Sequence, residues 1–178
     1  MKSNDILDID WKNLNTMLDN MEYSVIFPGD QDKQLNKPMS AVDRAGGNYN
    51  PDNCRRHEYI SDKLYDLLPT SFLKKNNFGK DVIIKILEHP PGTFTFPHKD
   101  TYDYIKTKLS LDKESKIKRL WIPCTDYKFG HALFIGNDVI ANYKAGDVFE
   151  IEGSILHSGA NAGVEKRRIM TITGRVYN

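Results

Sequence analysis

From Asp81 to the end, the chain is a succession of short β-branched and aromatic runs, each soon cut off by glycine, proline or asparagine. The run DVIIKILEH is halted by Pro90-Pro91-Gly92, and TFTFPHKD, KRLWIPC, HALFIG, NDVIANY, GDVFEIEG and RRIMTITGRVY follow it. Gly136-Asn137-Asp138 and Ala145-Gly146-Asp147 are turn signals between them. Strands this short and this closely spaced must pair antiparallel and cover one another. A jelly-roll or barrel-like antiparallel sandwich is the architecture that does so.

Residues 1–80 have a different texture. Trp11, Leu14, Leu18 and Met21 recur at helical spacing behind Asp10, a natural N-cap. YSVIF then reads as a short strand closed by Pro28-Gly29. A polar stretch from Gln31 to Asn53, with Gly46-Gly47 inside it, is long for a loop and has the length of a lid, a binding loop or a disordered insertion. Ile60, Leu64, Leu67 and Leu68 predict a second amphipathic helix that stops at Pro69. Both helices are expected to cover one face of a sheet. Residues 1–178 are thus read as one domain, with 1–80 supporting a β core over 81–178. The charged connector between residues 101 and 118 reads as a solvated loop.

Charge narrows the partners. Lys and Arg number 25 against 24 Asp and Glu, a net charge of +1, so no long-range field recruits nucleic acid or an anionic membrane. Cys54 and Cys124 stand far apart and outside any CxxC pattern, which points to free thiols rather than a zinc ribbon. The opening residues lack the apolar run of a signal peptide. A soluble cytoplasmic protein is the expectation.

The chemistry is concentrated in His98, Asp100 and His157. Residues two apart in a strand share a face, so the imidazole of His98 and the carboxylate of Asp100 project together while Lys99 turns away. His157 follows Gly153-Ser154 at the start of a separate strand, which can cross opposite the first. Two imidazoles and one carboxylate on one face of a metal leave positions open for other ligands, the ligand set of non-haem Fe(II) oxygenases. Arg167 and Arg168 follow shortly after. A guanidinium there suits bidentate binding of a diacid's far carboxylate, and a buried arginine demands an anion. Adjacent strand residues face opposite sides, so at most one of the two points inward, and spacing alone does not choose. Arg168 is the preferred candidate and Arg167 the alternative.

The other histidines fit less well. His57 sits beside Arg55 and Arg56, His89 lies beyond the prolines, and His131 follows Gly130 at a strand start. No Ser/His/Asp signature, Walker loop or GxGxxG is present, which removes the serine-hydrolase, P-loop and Rossmann readings.

Residues 82–178 resemble the catalytic core of the Fe(II)/2-oxoglutarate-dependent dioxygenases. The likeness runs through PPGTFTFPHKD, RLWIPC, KAGDVFEIEGSILHSGANAG and KRRIMTITG. Its more specific part has Gly146-Asp147 ahead of His157, then Asn161, then Arg168. The chain is similar to the small phage and bacterial oxygenases and to the aspartyl/asparaginyl β-hydroxylase branch, whereas residues 1–80 resemble nothing nameable. The resemblance implies a double-stranded β-helix of cupin-like, jelly-roll form, mainly β with supporting N-terminal helices. It implies iron held by His98, Asp100 and His157, and 2-oxoglutarate chelating that iron with its far carboxylate on Arg168. With O2, such a centre releases succinate and CO2 and hydroxylates a C–H bond. The aspartyl/asparaginyl branch commonly lacks the carboxylate ligand, whereas Asp100 is present here, so this likeness does not fix the substrate. Arg119, in RLWIP, is a weaker candidate for touching the cosubstrate and equally a surface arginine at a strand start.

Two other readings stay open. One is a cupin-type metal dioxygenase or isomerase that does not use 2-oxoglutarate, although such sites generally carry a close His-x-His that this chain lacks. The other is a jelly-roll binding protein without metal. For the oxygenase, the primary substrate is expected to enter beside the 31–53 loop and the 101–118 connector. A peptidyl residue, a free amino acid, another small metabolite or a nucleobase remain as substrate classes, and oligomeric state is unreadable.

Overall fold

The computed structural model describes residues 2–26 and 51–177. Strands β4 (Phe78–His89), β6 (Ile117–Pro123), β9 (Asp147–Glu150) and β11 (Arg167–Val176) belong to one antiparallel sheet. Strands β5 (Thr93–Phe94), β7 (His131–Ile135), β8 (Asp138–Ile140) and β10 (His157–Asn161) form a second. Along the chain the strands pass back and forth between the sheets, so that β4, β6, β9 and β11 alternate with β5, the β7–β8 hairpin and β10. That alternation winds two facing sheets into a double-stranded β-helix, as the sequence led us to expect. N-terminal strands β1 (Lys2–Ile6), β2 (Ser24–Ile26) and β3 (Arg56–Ile60) widen the larger sheet to the order β1-β9-β6-β11-β4-β3-β2.

Alternation along β4 and β11 divides two cores. On the outer face Ile84, Ile86, Leu120, Ile122, Met170 and Ile172 pack under the N-terminal helices. Helix α1 (Trp11–Asp19) contributes Leu14 and Leu18 to that layer, and Asp10 caps it by accepting from the Asn13 amide at 2.9 Å. Complete burial of a side chain such as Ile86 stabilises by roughly 1.5–3 kcal/mol. Between the sheets, Trp121, Leu133, Ile135, Tyr143, Phe149, Ile151 and Ile169 form the second core.

Some local expectations need correction. The helical pattern read over residues 60–68 splits. Ile60 ends strand β3, α2 spans only Lys63–Asp66, and Pro69 opens a further helix, α3 (Thr70–Lys75). Proline is tolerated at a helix start because the amide it lacks would be unsatisfied there anyway. The 101–118 connector is not all loop, since Asp103–Lys108 form helix α4 and bury Ile105. Of the expected 31–53 loop, residues 31–50 lie outside the described residues, and Pro51–Cys54 form a 3-10 turn. Gly146 holds the turn into β9 at φ +85°, where a Cβ would meet the Leu7 carbonyl oxygen at 2.4 Å. Cys54 and Cys124 are both buried free thiols. Among the described residues no helix is long and apolar enough to cross a membrane.

Candidate metal centre

Pro97 interrupts the strand expected over TFTFPHKD, so only Thr93 and Phe94 are regular. The register nevertheless survives the break. His98 and His157 exchange both backbone hydrogen bonds, His98 N to His157 O at 3.0 Å and the reverse at 2.9 Å. Asp100 N donates to Gly153 O at 2.9 Å. These bonds tie the HxD segment to the start of β10 and bring the rings of His98 and His157 to a centroid distance of 4.4 Å.

One nitrogen or oxygen from each of His98, Asp100 and His157 lies within 4.8 Å of the others. His157 Nε2 is 3.4 Å from Asp100 Oδ2, and His98 Nε2 is 3.8 Å from Asp100 Oδ1. Donors at about 2.1 Å from a common metal stand roughly 3 Å apart when adjacent in an octahedron. The two His–Asp separations would each close by less than about 1 Å around such an ion. The tautomers fit as well. His98 Nδ1 faces Phe96 O at 2.8 Å and His157 Nδ1 faces Ile155 O at 2.9 Å. Only a protonated Nδ1 satisfies a carbonyl, so each Nε2 is left with its lone pair toward the centre. Burial and the neighbouring His157 push the pKa of His98 down to about 4, which keeps its ring neutral and able to ligate.

Arg119, the weakest of the sequence candidates, reaches the centre through Asp100. Its Nη1 donates to Asp100 Oδ2 at 2.5 Å, its Nε to Thr173 Oγ1 at 3.0 Å, and its guanidinium lies 5.2 Å from the ring centroid of Tyr102. Tyr102 adopts φ +59°, a strained conformation for a tyrosine, immediately beside the site. Its hydroxyl donates to Ile151 O at 3.3 Å, and burial pushes its pKa up to about 12.

The expectation for Arg168 is corrected. Register pairs Arg168 with Glu88 on the outer face of the large sheet, where its Nε donates to Glu88 Oε2 at 2.9 Å. Its Nη2 donates to Asp19 Oδ1 at 2.6 Å and its Nη1 to Asn15 of α1. Arg168 therefore fastens the N-terminal helix to the barrel and does not reach the triad. The alternation that turns Arg168 outward turns Arg167 inward. Arg167 is 1% exposed, on the same strand face as Ile169, Thr171 and Thr173. It lies 5.2 Å from the Trp121 ring, and its Nη1 donates to His89 Nδ1 at 3.3 Å. Among the described residues, its Nε and Nη2 have no hydrogen-bond partner. Gly159 makes room for it, since a Cβ there would stand 2.9 Å from Arg167 Nη1.

The triad opens into a cleft with a cavity volume of about 60 Å³. Thr171, Thr173 and Trp121 line its floor, Ile105 of α4 lies at one side, and Arg56, Glu58 and Lys85 bring charge from β3 and β4. The sequence does not single out those last three. A signal was present in the alternation of the two strands, but it needs the β3–β4 pairing to become visible. The other histidines stay away from the His98–Asp100–His157 triad. His57 Nδ1 donates to Glu88 Oε1 on the outer face, His89 contacts Thr95, and His131 contacts the Glu165 carbonyl.

No protein-family model and no curated protein matches the chain. Among solved structures it is similar to a predicted oxalate decarboxylase from Thermotoga maritima, at 13% identity over 68% of this chain and 82% of that one, with a TM-score of 0.42. It is similar to a cupin 2 conserved barrel domain protein from Rhodopseudomonas palustris, at 6% identity over 88% and 74% and a TM-score of 0.44. A cupin-superfamily sugar phosphate isomerase from Silicibacter pomeroyi gives 9% identity, 70% and 61% coverage and a TM-score of 0.42. Likenesses this distant say nothing of activity, and the fold stands on the strand pairing itself.

Proposed function

We propose that the protein is an Fe(II)- and 2-oxoglutarate-dependent oxygenase that hydroxylates a C–H bond of a primary substrate. The observation that carries this reading is the convergence of His98 Nε2, His157 Nε2 and the Asp100 carboxylate at one end of the barrel interior. Iron bound by that set would supply, with O2, the decarboxylation of 2-oxoglutarate to succinate and the oxygen delivered to the substrate.

The residues divide the remaining work. Carbonyls of Phe96 and Ile155 fix the two imidazoles by their Nδ1 protons. Arg119 holds one oxygen of Asp100 and so restricts the carboxylate's rotation. Arg167 supplies the inward guanidinium that a diacid requires. Its Nε and Nη2, which have the Tyr143 hydroxyl nearby but no well-formed hydrogen bond, are the donors that a far carboxylate would satisfy. Ile105, Ile83 and Leu87 furnish apolar cleft wall that limits water around the reacting groups.

Titration of the anaerobic protein with Fe(II) and then 2-oxoglutarate tests the reading without a substrate. A visible charge-transfer band is expected in the wild type and absent in His157→Ala. The second reading, a metal enzyme of cupin type that ignores 2-oxoglutarate, has one observation in its favour. Trp121 lines the cleft while Arg167, stacked on it, does not. Iron binding with no band on adding 2-oxoglutarate would establish that alternative.

A further inference from the structure

The cleft carries more charge than its metal ligands need. Antiparallel pairing of β3 with β4 sets Glu58 opposite Leu87 and Ile60 opposite Lys85, so Glu58 and Lys85 are diagonal neighbours on the interior face. Glu58 Oε1 accepts from Arg56 Nε at 3.0 Å and lies 2.8 Å from Arg56 Nη2. Its other oxygen accepts from Lys85 Nζ at 3.0 Å. All three side chains line the same cleft as the triad.

A trio of two cations and one carboxylate, with Glu58 and Lys85 buried and Arg56 partly so, is a poor stabilising device. Desolvation of three charges offsets most of the Coulomb gain, and apolar side chains of similar volume would serve a core at least as well. Burial lowers the pKa of Lys85, Glu58 opposes that shift, and Arg56 and Arg119 add smaller downward contributions. The lining as a whole has three cations, Arg56, Lys85 and Arg119, against the carboxylates of Glu58 and Asp100. A divalent metal adds two further positive charges. On the reading above, a bound 2-oxoglutarate spends its far carboxylate on Arg167 and brings only its chelating carboxylate to the cleft. Of the two positive charges that remain in excess, one lies with Arg56, Lys85 and Glu58 and the other around the metal and Arg119.

We propose that Arg56 and Lys85, clamped together by Glu58, are an anion subsite, and that the primary substrate is a small acid whose carboxylate docks there. The inference rests on the oxygenase reading for its charge balance, but the subsite itself stands on the geometry of β3 and β4. Glu58 spaces the two cations, and a carboxylate entering from the cleft would bridge the remaining N–H groups of both.

The test uses four- to six-carbon monocarboxylates, the matching primary alcohols and the matching phosphate monoesters as probes. Binding is measured calorimetrically to the full chain loaded with Mn(II), both with and without 2-oxoglutarate. Carboxylates are expected to bind at least about 10-fold more tightly than the alcohols, and Arg56→Gln or Lys85→Gln to lose about 10-fold or more of that affinity. Affinity for 2-oxoglutarate should stay within about two-fold in both variants. Glu58→Gln removes the competing carboxylate and should tighten acid binding several-fold, a gain that a merely structural role for Glu58 would not produce. Alcohols binding as well as acids, or phosphate monoesters binding in place of carboxylates, would overturn the proposal. So would loss of 2-oxoglutarate binding in Arg56→Gln, which would make the trio the cosubstrate anchor instead. If 2-oxoglutarate fails to bind the wild type, the oxygenase reading falls alone, because the metal-only titrations still test the subsite.

Discussion

Arg119 donates to Asp100 Oδ2 at 2.5 Å, while the same carboxylate presents Oδ1 toward His98 Nε2 at 3.8 Å. The guanidinium is itself held by Thr173, on the neighbouring strand of the same sheet. A metal ligand fixed in this way loses less freedom on binding its ion. Arg119→Gln is expected to weaken metal binding about 10–100-fold, the range seen when an outer partner of a ligand is lost. Competition with a chelating dye measures it. Unchanged affinity would reduce Arg119 to a contributor to cleft charge.

Metal binding should also appear as stability, because only the native state assembles all three ligands. At a hundredfold excess of metal over its dissociation constant the native state gains about 2.7 kcal/mol. For a domain of this size that corresponds to a rise of roughly 5–10 °C in melting temperature. Mn(II) or Zn(II) serves as the ion, so that oxidation does not intrude. Asp100→Ala should abolish the rise measured against its own metal-free baseline, which is itself lowered by loss of the Arg119 partner. A rise of equal size in that variant would remove Asp100 from the site.

Arg167 and Arg168 are neighbours in sequence with opposite expected behaviour. Arg168→Met breaks the pair with Glu88, which is nearly inaccessible, and costs about 3 kcal/mol; this is the low end for a buried pair because the other partner, Asp19, is exposed. Its affinity for 2-oxoglutarate should be that of the wild type. Arg167→Met replaces a buried guanidinium with two unpartnered nitrogens by an apolar chain, and should leave the metal-free protein as stable or more so. Cosubstrate binding should fall about 100-fold, the loss of a charge-assisted pair of hydrogen bonds. Urea unfolding and the iron chelate band read the two properties separately. If Arg168→Met weakens the chelate and Arg167→Met does not, the inward assignment of Arg167 fails.

That pair also shows what a sequence carries and what it withholds. The strand runs after Asp81 and the meeting of His98, Asp100 and His157 were legible, because alternation, turn residues and ligand chemistry are local properties. Which arginine faces inward was not legible. Both faces of β11 are buried, one under the other sheet and one under α1, so Ile169 and Met170 look equally apolar and hydrophobic alternation gives no phase. The phase comes from pairing, Arg167 with His89 and Arg168 with Glu88, and pairing is a long-range fact. Arg56, Glu58 and Lys85 were missed for the same reason. Ile60 stands at helical spacing from Leu64, Leu67 and Leu68 yet ends strand β3, so the spacing conceals the charged wall of the cleft.

Acid should destabilise the metal-free protein well above the range in which carboxylates titrate. His89 is fully buried, with Nε2 against Thr95 Oγ1 at 2.7 Å and Nδ1 accepting from Arg167. Protonating Nδ1 would set an N–H against a guanidinium. Burial first, and then the charge of Arg167, hold its pKa well below 6.5. His98 is pushed down to about 4, and His131 is also lowered, chiefly by burial. The unfolded chain therefore takes up protons on these rings below pH 6.5 while the native state does not. Stability is retained above that pH and falls as pH drops through the window toward 4, by up to about 1.4 kcal/mol per pH unit for each ring. Urea titrations in chelator at pH 7.5, 6 and 5 measure the slope, and keeping above pH 5 leaves most carboxylates ionised. His89→Gln keeps an amide toward Thr95 and removes one titrating ring, so its slope should be shallower. An equal slope in the variant would mean that His89 is protonated within the folded barrel, against the contact with Arg167 that defines the interior face.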